Sequence, residues 1–240
     1  MSSEQLGPNA RNQLARLRNN WRQGQHVLIT GETGSGKTTL ARYLDEVRVR
    51  NGGHVVVFVT KSVPDAIFSR DYRDWTRWKS WKGNPSRYDN RILLWPDLRG
   101  VTGDKLYKAQ REIFGEAMSN IMDVGNWTIH VDEGHYFCNP RMMGMDRDLS
   151  LVYYQGRSAG ITGITLAQRP AHLPLVLYSS SDHVFAGRAR ERNDALRLAE
   201  IGGRENSREL IRLMDGQGKH DFRWIPKGPD WPSEPFNLRR

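Results

Sequence analysis

A glycine-rich segment near the N-terminus carries the residues best suited to chemistry. It fits the pattern G-x-x-x-x-G-K-[ST] and lies between an apolar run and a helix-like run. Glycines at these spacings let the backbone curl so that its N–H groups point at phosphate oxygens. The alternative is a simple glycine-rich turn. The segment predicts a nucleotide-phosphate site formed by Gly31, Glu32, Thr33, Gly34, Ser35, Gly36, Lys37, Thr38 and Thr39.

Two adjacent carboxylates, Asp132 and Glu133, follow the predicted strand that ends at Val131. A carboxylate at the end of a strand beside a phosphate-binding loop holds the shell of a magnesium ion. We therefore expect ATP and Mg²⁺ as cofactors, with Lys37 at the β- and γ-phosphates and Thr38 and Asp132 at the metal. Glu133 is the expected base for the attacking water. A solvated acidic turn is the alternative for this pair.

Polar residues around a third apolar run complete the predicted site. Gln168 ends the run Ile164–Ala167 and is expected near the γ-phosphate, where an amide orients water or senses hydrolysis. Arg157 precedes the same run and is the first candidate for an arginine that acts in a neighbouring subunit. Arg169 is the second candidate and Arg188 the third. A strand-end glutamine and solvated arginines are the alternatives.

The elements that must position these residues alternate between strand and helix. Strands are predicted at 26–30, 54–60, 91–95, 127–131, 161–167, 183–186 and 220–225, with helices at 9–21, 38–48, 104–124, 149–158, 190–201 and 207–214. This order predicts an α/β fold with a mainly parallel sheet flanked by helices. It divides into an N-terminal helix (1–24), one ATPase domain (25–225) and a proline-rich tail (226–240) that we expect to be extended and unpacked.

Residues 62–90 form a charged and aromatic excursion within the domain. Trp75, Trp78 and Trp81 recur at a spacing of three, which predicts a helix over 71–81 with the tryptophans on one face. That face is either a stacking surface for a base, DNA or another subunit, or part of the core. Arginines that either line a DNA channel or are ordinary surface charge are Arg188, Arg190, Arg192, Arg204, Arg208 and Arg212.

Composition restricts the class of protein. The chain has 240 residues, a formal net charge of +9 and a single cysteine, Cys138. The charge favours a polyanionic partner, and one cysteine excludes an internal disulfide and a cysteine-based zinc cage. Because the longest apolar run, Val55–Val59, is too short to cross a bilayer, we expect no membrane span and an intracellular protein.

The motifs together resemble those of the HerA/FtsK superfamily of DNA-translocating ATPases. The resemblance rests on the phosphate-binding loop, Asp132-Glu133, Gly156-Arg157 and the run from Thr165 to Pro170 followed by Leu173-Pro174. It implies a P-loop NTPase of the additional-strand, RecA-like type, a ring of five or six subunits with an arginine contributed in trans, and double-stranded DNA in the pore. Among its members, the chain is most similar to the small genome-packaging ATPases of viruses.

The expected function is therefore ATP-driven packaging of double-stranded viral DNA into a preformed capsid, without sequence-specific contacts. The resemblance implies a capsid vertex or portal protein as a partner. The expected location is the host cytoplasm, with the packaging vertex of the virion as a second place. The alternatives are a cellular HerA-like translocase or helicase, a small-molecule kinase and a nucleotide-switched interaction protein. The Asp132-Glu133 pair disfavours a kinase, because a kinase excludes water.

Overall fold

The computed structural model describes residues 7–63, 66–83, 89–189, 191–200, 203–227 and 234–238, with the backbone alone for residues 67, 203–207 and 215. The strands within these residues are β1 (His26–Thr30), β2 (His54–Phe58), β3 (Thr76–Trp78), β4 (Arg91–Leu94), β5 (Trp127–Val131), β6 (Thr162–Ala167), β7 (Ser181–Gly187), β8 (Asp221–Pro226) and β9 (Phe236–Asn237). The helices are α1 (Pro8–Asn20), α2 (Lys37–Arg50), α3 (Ala66–Asp71), α4 (Gly103–Val124), α5 (Gly134–Cys138), α6 (Asp146–Gln155), α7 (Leu175–Ser179), α8 (Arg192–Ala199) and α9 (Gly203–Asp215).

The strands form one mixed sheet in the order β3-β4-β2-β5-β6-β1-β7-β8-β9. The seven strands from β3 to β7 in this order pair in parallel, and β8 and β9 add antiparallel pairs at one edge. Central strands such as β1 and β5 are buried along their whole length, as expected for a parallel sheet covered on both faces. The α/β fold class predicted from the sequence is confirmed.

Strand β6 lies between β1 and β5. The strand that precedes the phosphate-binding loop and the strand that precedes Asp132 are therefore not neighbours, because one additional strand separates them. This is the arrangement that the additional-strand type requires.

Helices cover both faces of the sheet. On one face, α1 and α2 pack on β1, β7 and β8 through Leu14, Leu40 and Leu44, which are fully buried. On the other face, α4 to α7 pack through residues such as Phe114 and Val152. Apolar residues on one stripe of each helix drive this packing, as for any amphipathic helix on a sheet.

The helix predicted over residues 71–81 is wrong. Helix α3 ends at Asp71, a turn follows, and residues Thr76–Trp78 form the edge strand β3 beside β4. Trp75 packs in one apolar cluster with Val55 and Val57, whereas Trp78 and Trp81 pack in another with Trp127. All three tryptophans are buried, so they belong to the core of this chain and not to an open stacking surface.

The prediction of an unpacked tail is also wrong for residues 236–238. Phe236 pairs with Phe222 across β9 and β8, and both Phe236 and Leu238 are buried. They lie in the same apolar cluster as Trp224 and helix α1. Residues 228–233, 239 and 240 of the tail lie outside the described residues. Among the described helices, none is both long and apolar enough to cross a membrane.

Candidate nucleotide-binding site

Three parallel strands bring most of the predicted site residues to one edge of the sheet. Thr30 lies level with Ala167 across β1 and β6, and Val131 lies level with Thr165 across β5 and β6. The loop after β1, Gln168 after β6 and Asp132 after β5 therefore emerge together at the carboxyl edge. Ligands bind at this edge in open α/β sheets.

The glycine-rich loop folds around its own lysine. Gly34 and Gly36 have φ angles of 73° and 105°, a region that glycine adopts without strain. Lys37 is buried, and its Nζ donates to the carbonyl oxygens of Gly31 at 2.8 Å and Glu32 at 2.9 Å. Burial lowers the pKa of Lys37 to about 8, although nearby carboxylates oppose the shift. The ammonium group thus lies inside the loop.

Thr38 and Asp132 form the pair of oxygen ligands expected for magnesium. Thr38 Oγ1 donates to Asp132 Oδ1 at 3.1 Å, and Asp132 is buried. Mg²⁺ prefers oxygen ligands and is usually held by one or two protein groups together with phosphates and water. The chemistry of these two residues therefore fits the ion.

Glu133 lies beside Asp132 in a partly buried position. Burial raises the pKa of Glu133, and the charge of Asp132 raises it further. Lys61, which follows β2, places its Nζ 3.5 Å from Glu133 Oε1 and 3.6 Å from Asp132 Oδ2. Sequence reasoning missed Lys61, although a lysine just after a buried strand is placed at the same sheet edge.

Gln168 connects the phosphate-binding loop with Glu133. Thr33 Oγ1 donates to Gln168 Oε1 at 2.8 Å, and Gln168 Nε2 donates to Glu133 Oε1 at 3.4 Å. A change in the loop on nucleotide binding or hydrolysis would therefore be transmitted through one amide to Glu133. The placement agrees with the expected role of Gln168, and the role itself stays a prediction.

Arg157 lies at the opposite edge of the sheet. Its guanidinium donates to Asp182 Oδ1 at the start of β7, and its backbone carbonyl approaches Gly24 just before β1. Strand β1 has five residues, so about 17 Å separates the two edges at about 3.3 Å per residue. Arg157 does not reach the phosphate-binding loop of its own chain. Its predicted role in a neighbouring subunit stays a prediction.

The other candidate arginines are held by carboxylates of this chain. Arg169 donates to Asp194 Oδ2 at 2.8 Å and to Glu191 Oε2 at 2.5 Å. Arg188 Nε donates to Glu32 Oε1 at 3.0 Å, so it lies beside its own phosphate-binding loop. Among the other arginines considered for a DNA channel, Arg190 and the side chain of Arg204 lie outside the described residues. Arg192, Arg208 and Arg212 are exposed.

A buried polar network that the sequence did not reveal joins α2 to β5. Asp45 Oδ2 lies 2.9 Å from His130 Nδ1 and accepts from the Tyr72 hydroxyl at 2.7 Å. Burial alone would lower the pKa of His130, but the charge and hydrogen bond of Asp45 raise it above its ordinary value. Because His130 precedes Asp132 by two residues, the network fixes the helix of the loop relative to the strand of the carboxylates.

Comparison with known proteins agrees with this geometry. Residues 5–72, under a third of the chain, match the model of the Sigma-54 interaction domain family. No curated protein sequence matches the chain. The DNA-packaging ATPase B204 from Sulfolobus turreted icosahedral virus superposes with a TM-score of 0.60 at 15% identity, over 91% of this chain and 100% of that chain. The fold is that of a P-loop NTPase.

Two further structures support the same conclusion. The genome-packaging NTPase B204 from Sulfolobus turreted icosahedral virus 2, in complex with AMPPCP, superposes with a TM-score of 0.60 at 14% identity, over 90% of this chain and 98% of that chain. The pCW3 conjugation coupling protein TcpA, with ATPγS, gives a TM-score of 0.51 at 15% identity, over 92% of this chain and 62% of that chain. The resemblance inferred from the motifs is confirmed at the level of the fold.

Proposed function

We propose that this P-loop NTPase hydrolyses ATP to move double-stranded DNA and that it packages a viral genome into a preformed capsid. The observation that carries the proposal is the chain of contacts from Thr33 to Glu133 through Gln168, which directly follows the additional strand β6. It couples the state of the phosphates to the residue placed to activate water. Similarity in fold to the packaging ATPases, over almost the full length of both chains, supports the choice of cargo.

The residues at the carboxyl edge divide the work of phosphoryl transfer. Lys37 and the backbone N–H groups of the loop bind phosphate oxygens, and Thr38 and Asp132 hold Mg²⁺. The metal supplies positive charge to the phosphates when bound. Glu133 accepts the proton of the attacking water, and Gln168 keeps Glu133 oriented toward the loop. The protein contributes mainly positioning and charge, because phosphoryl transfer requires little covalent chemistry from it.

Assembly into a ring of five or six subunits would bring an arginine of one subunit to the phosphates bound by the next. Arg157 is exposed and far from its own loop, so it serves a site only if a second copy is placed against it. An arginine supplied in trans raises turnover about 10³- to 10⁵-fold in other P-loop enzymes. DNA contacts would be to the phosphate backbone, which the net charge of +9 favours. A capsid vertex or portal protein is the proposed partner, in the host cytoplasm or at the packaging vertex.

The test is steady-state ATP hydrolysis with and without double-stranded DNA, for the wild type, R157A and equal mixtures of the two. We expect DNA to raise wild-type turnover. R157A should be inactive alone and should lower the activity of the mixture well below half, because one defective subunit blocks its neighbour. R99A is the matched control, since Arg99 is also exposed and pairs with a carboxylate, Asp97.

Three outcomes contradict parts of the proposal. Turnover that does not respond to DNA contradicts the motor function and favours a kinase or a nucleotide switch. Mixtures whose activity is the simple average of their components contradict the trans role of Arg157. Stimulation by DNA that requires ends or forks contradicts packaging and favours a cellular translocase.

A further inference from the structure

A turn near the C-terminal end of the domain lies against the phosphate-binding loop. It spans Gly216 to His220, between α9 and β8. Lys219 Nζ lies 3.4 Å from the position that a Cβ atom would occupy at Gly34. His220 Nδ1 lies 3.3 Å from the carbonyl oxygen of Ser35. A second lysine therefore contacts the middle of the loop from outside its own segment.

The turn is held in place by hydrogen bonds from three strands. Gln217 is buried, and its Nε2 donates to the carbonyl oxygens of Ala186 and Asp221, both at 3.1 Å. Asp221 Oδ2 accepts from the backbone N–H of Gly218 at 3.0 Å. Asn237 Nδ2 donates to Asp221 Oδ1 at 3.2 Å. These bonds fix the backbone on both sides of Lys219 relative to β7, β8 and β9.

Lys219 has a charge that no carboxylate among the described residues compensates. Its ammonium group makes no ion pair or hydrogen bond with any of the described residues. The carboxylate of the loop, Glu32, is bound instead to Arg188. Lys219 is exposed, and its amine lies over Gly34, where the absence of a side chain leaves space for it. An uncompensated cation beside backbone N–H groups that bind phosphate is suited to an anionic ligand.

We propose that Lys219 binds phosphate oxygens of the nucleotide in the loop, as a second lysine acting together with Lys37. The inference rests on the proposed nucleotide site and adds a ligand-binding residue from the far end of the chain. It predicts that the turn before β8 contributes to affinity for nucleoside di- and triphosphates. Charge-assisted hydrogen bonds to phosphate are among the stronger polar contacts.

The experiment measures equilibrium binding of ATP and ADP to the full chain, with magnesium, for the wild type, K219A and K219R. K219A should bind both nucleotides about tenfold more weakly, the size expected for loss of one such contact. K219R, which keeps the charge, should stay within about threefold of the wild type. K108A is the matched control, since Lys108 is exposed on α4, and K37A is the reference for loss of the loop lysine.

The outcomes separate this inference from the proposed function. Binding by K219A within twofold of the wild type, while K37A is impaired, overturns the role of Lys219 alone. A tenfold loss of nucleotide affinity in K219A, together with wild-type turnover that does not respond to DNA, supports the role of Lys219 and contradicts only the proposed motor function. A wild type that binds no nucleotide overturns both. Equal midpoints of thermal unfolding for K219A and K108A verify that a loss of binding is not a loss of folding.

Discussion

Mild acid should destabilise this protein through two buried histidines. His26 in β1 and His183 in β7 are both buried. His26 Nδ1 accepts the backbone N–H of Gly163 at 2.9 Å, and His183 Nδ1 accepts the indole N–H of Trp224 at 3.2 Å. A protonated imidazole has no acceptor, so protonation in the folded state breaks both bonds.

Burial lowers the pKa of both imidazoles to about 4, with further contributions from Arg157 and Lys227 at His26 and from Arg48 at His183. In the unfolded chain both imidazoles titrate near the ordinary histidine pKa of about 6.5. The unfolded state therefore takes up protons first, and stability falls as the pH drops below about 6.5 until it reaches about 4. At pH 5 each histidine costs about 2 kcal/mol relative to pH 7.5. This is a large share of the 5–15 kcal/mol, roughly, that stabilises a typical domain.

The assay is urea unfolding between pH 7.5 and pH 5, followed by tryptophan fluorescence, for the wild type, H26N and H183N. Asparagine places an oxygen acceptor near the position of Nδ1 without a titratable group. Each variant should lose about 2 kcal/mol of the pH-dependent part of the unfolding free energy. H172N, at an exposed position, is the control.

His130 makes the comparison with variants necessary. Its pKa is raised, so the folded state binds this proton first. The contribution of His130 to stability grows as the pH falls through its folded pKa and is complete below its unfolded pKa. The pH dependence of the wild type is the sum of these opposite effects. A pH dependence in H26N and H183N identical to that of the wild type would refute the assignment of neutral, acceptor-only roles to the two imidazoles.

Two further predictions concern single residues. E133Q should keep ATP affinity within about threefold of the wild type and lose at least about 100-fold in turnover, because the amide cannot accept the proton of the water. E116Q, on the exposed face of α4, is the control. Retained turnover in E133Q would exclude Glu133 as the base. G125A should lower the unfolding free energy by about 2–4 kcal/mol in urea titrations, because Gly125 has φ 75° and ψ −179° and a Cβ would lie 2.5 Å from the carbonyl oxygen of Ala159. G100A shares a positive φ, at 79°, but has nothing within 4 Å of the added Cβ, so it should cost about 1 kcal/mol and isolates the backbone contribution; equal losses in the two variants would contradict the steric argument.

The central part of the fold was predictable because local chemistry fixes it. Strand β1 and strand β5 begin and end at the predicted residues, 26–30 and 127–131. Every residue of the two strands is buried. Each strand is followed directly by residues of the predicted site. The three side chains Thr33, Gln168 and Glu133 were assigned to one edge for the same reason, although their hydrogen bonds were not foreseen.

The helix predicted in the aromatic excursion is wrong because the same tryptophan spacing also fits a turn followed by a strand. A spacing of three places Trp75, Trp78 and Trp81 on one face of a helix, but the chain here is a turn followed by a short edge strand. The strand conformation of Trp78 results from pairing with a distant segment, since β3 lies level with Ile92 to Leu94 of β4. Periodicity within a segment does not reveal a partner strand that lies farther along the chain.

The tail was mispredicted by the same kind of non-local contact. Four prolines between 226 and 235 favour extended chain, yet β9 needs only two residues to pair with β8. The alternation of Phe236 and Leu238 around a polar residue was the available signal, because both apolar side chains point to the same side of a strand.

The residues of the proposed mechanism lie at two opposite edges of the sheet. Lys37, Thr38, Asp132, Glu133 and Gln168 lie at the carboxyl edge, where Thr38 donates to Asp132 and Gln168 donates to Glu133 within one chain. The charge of Arg157 lies at the amino edge, about 17 Å away along a five-residue strand. In the proposed ring, changes at the carboxyl edge would act on every subunit separately. A change at Arg157 would act only where two subunits meet, so it would test the proposed assembly without altering the carboxyl edge.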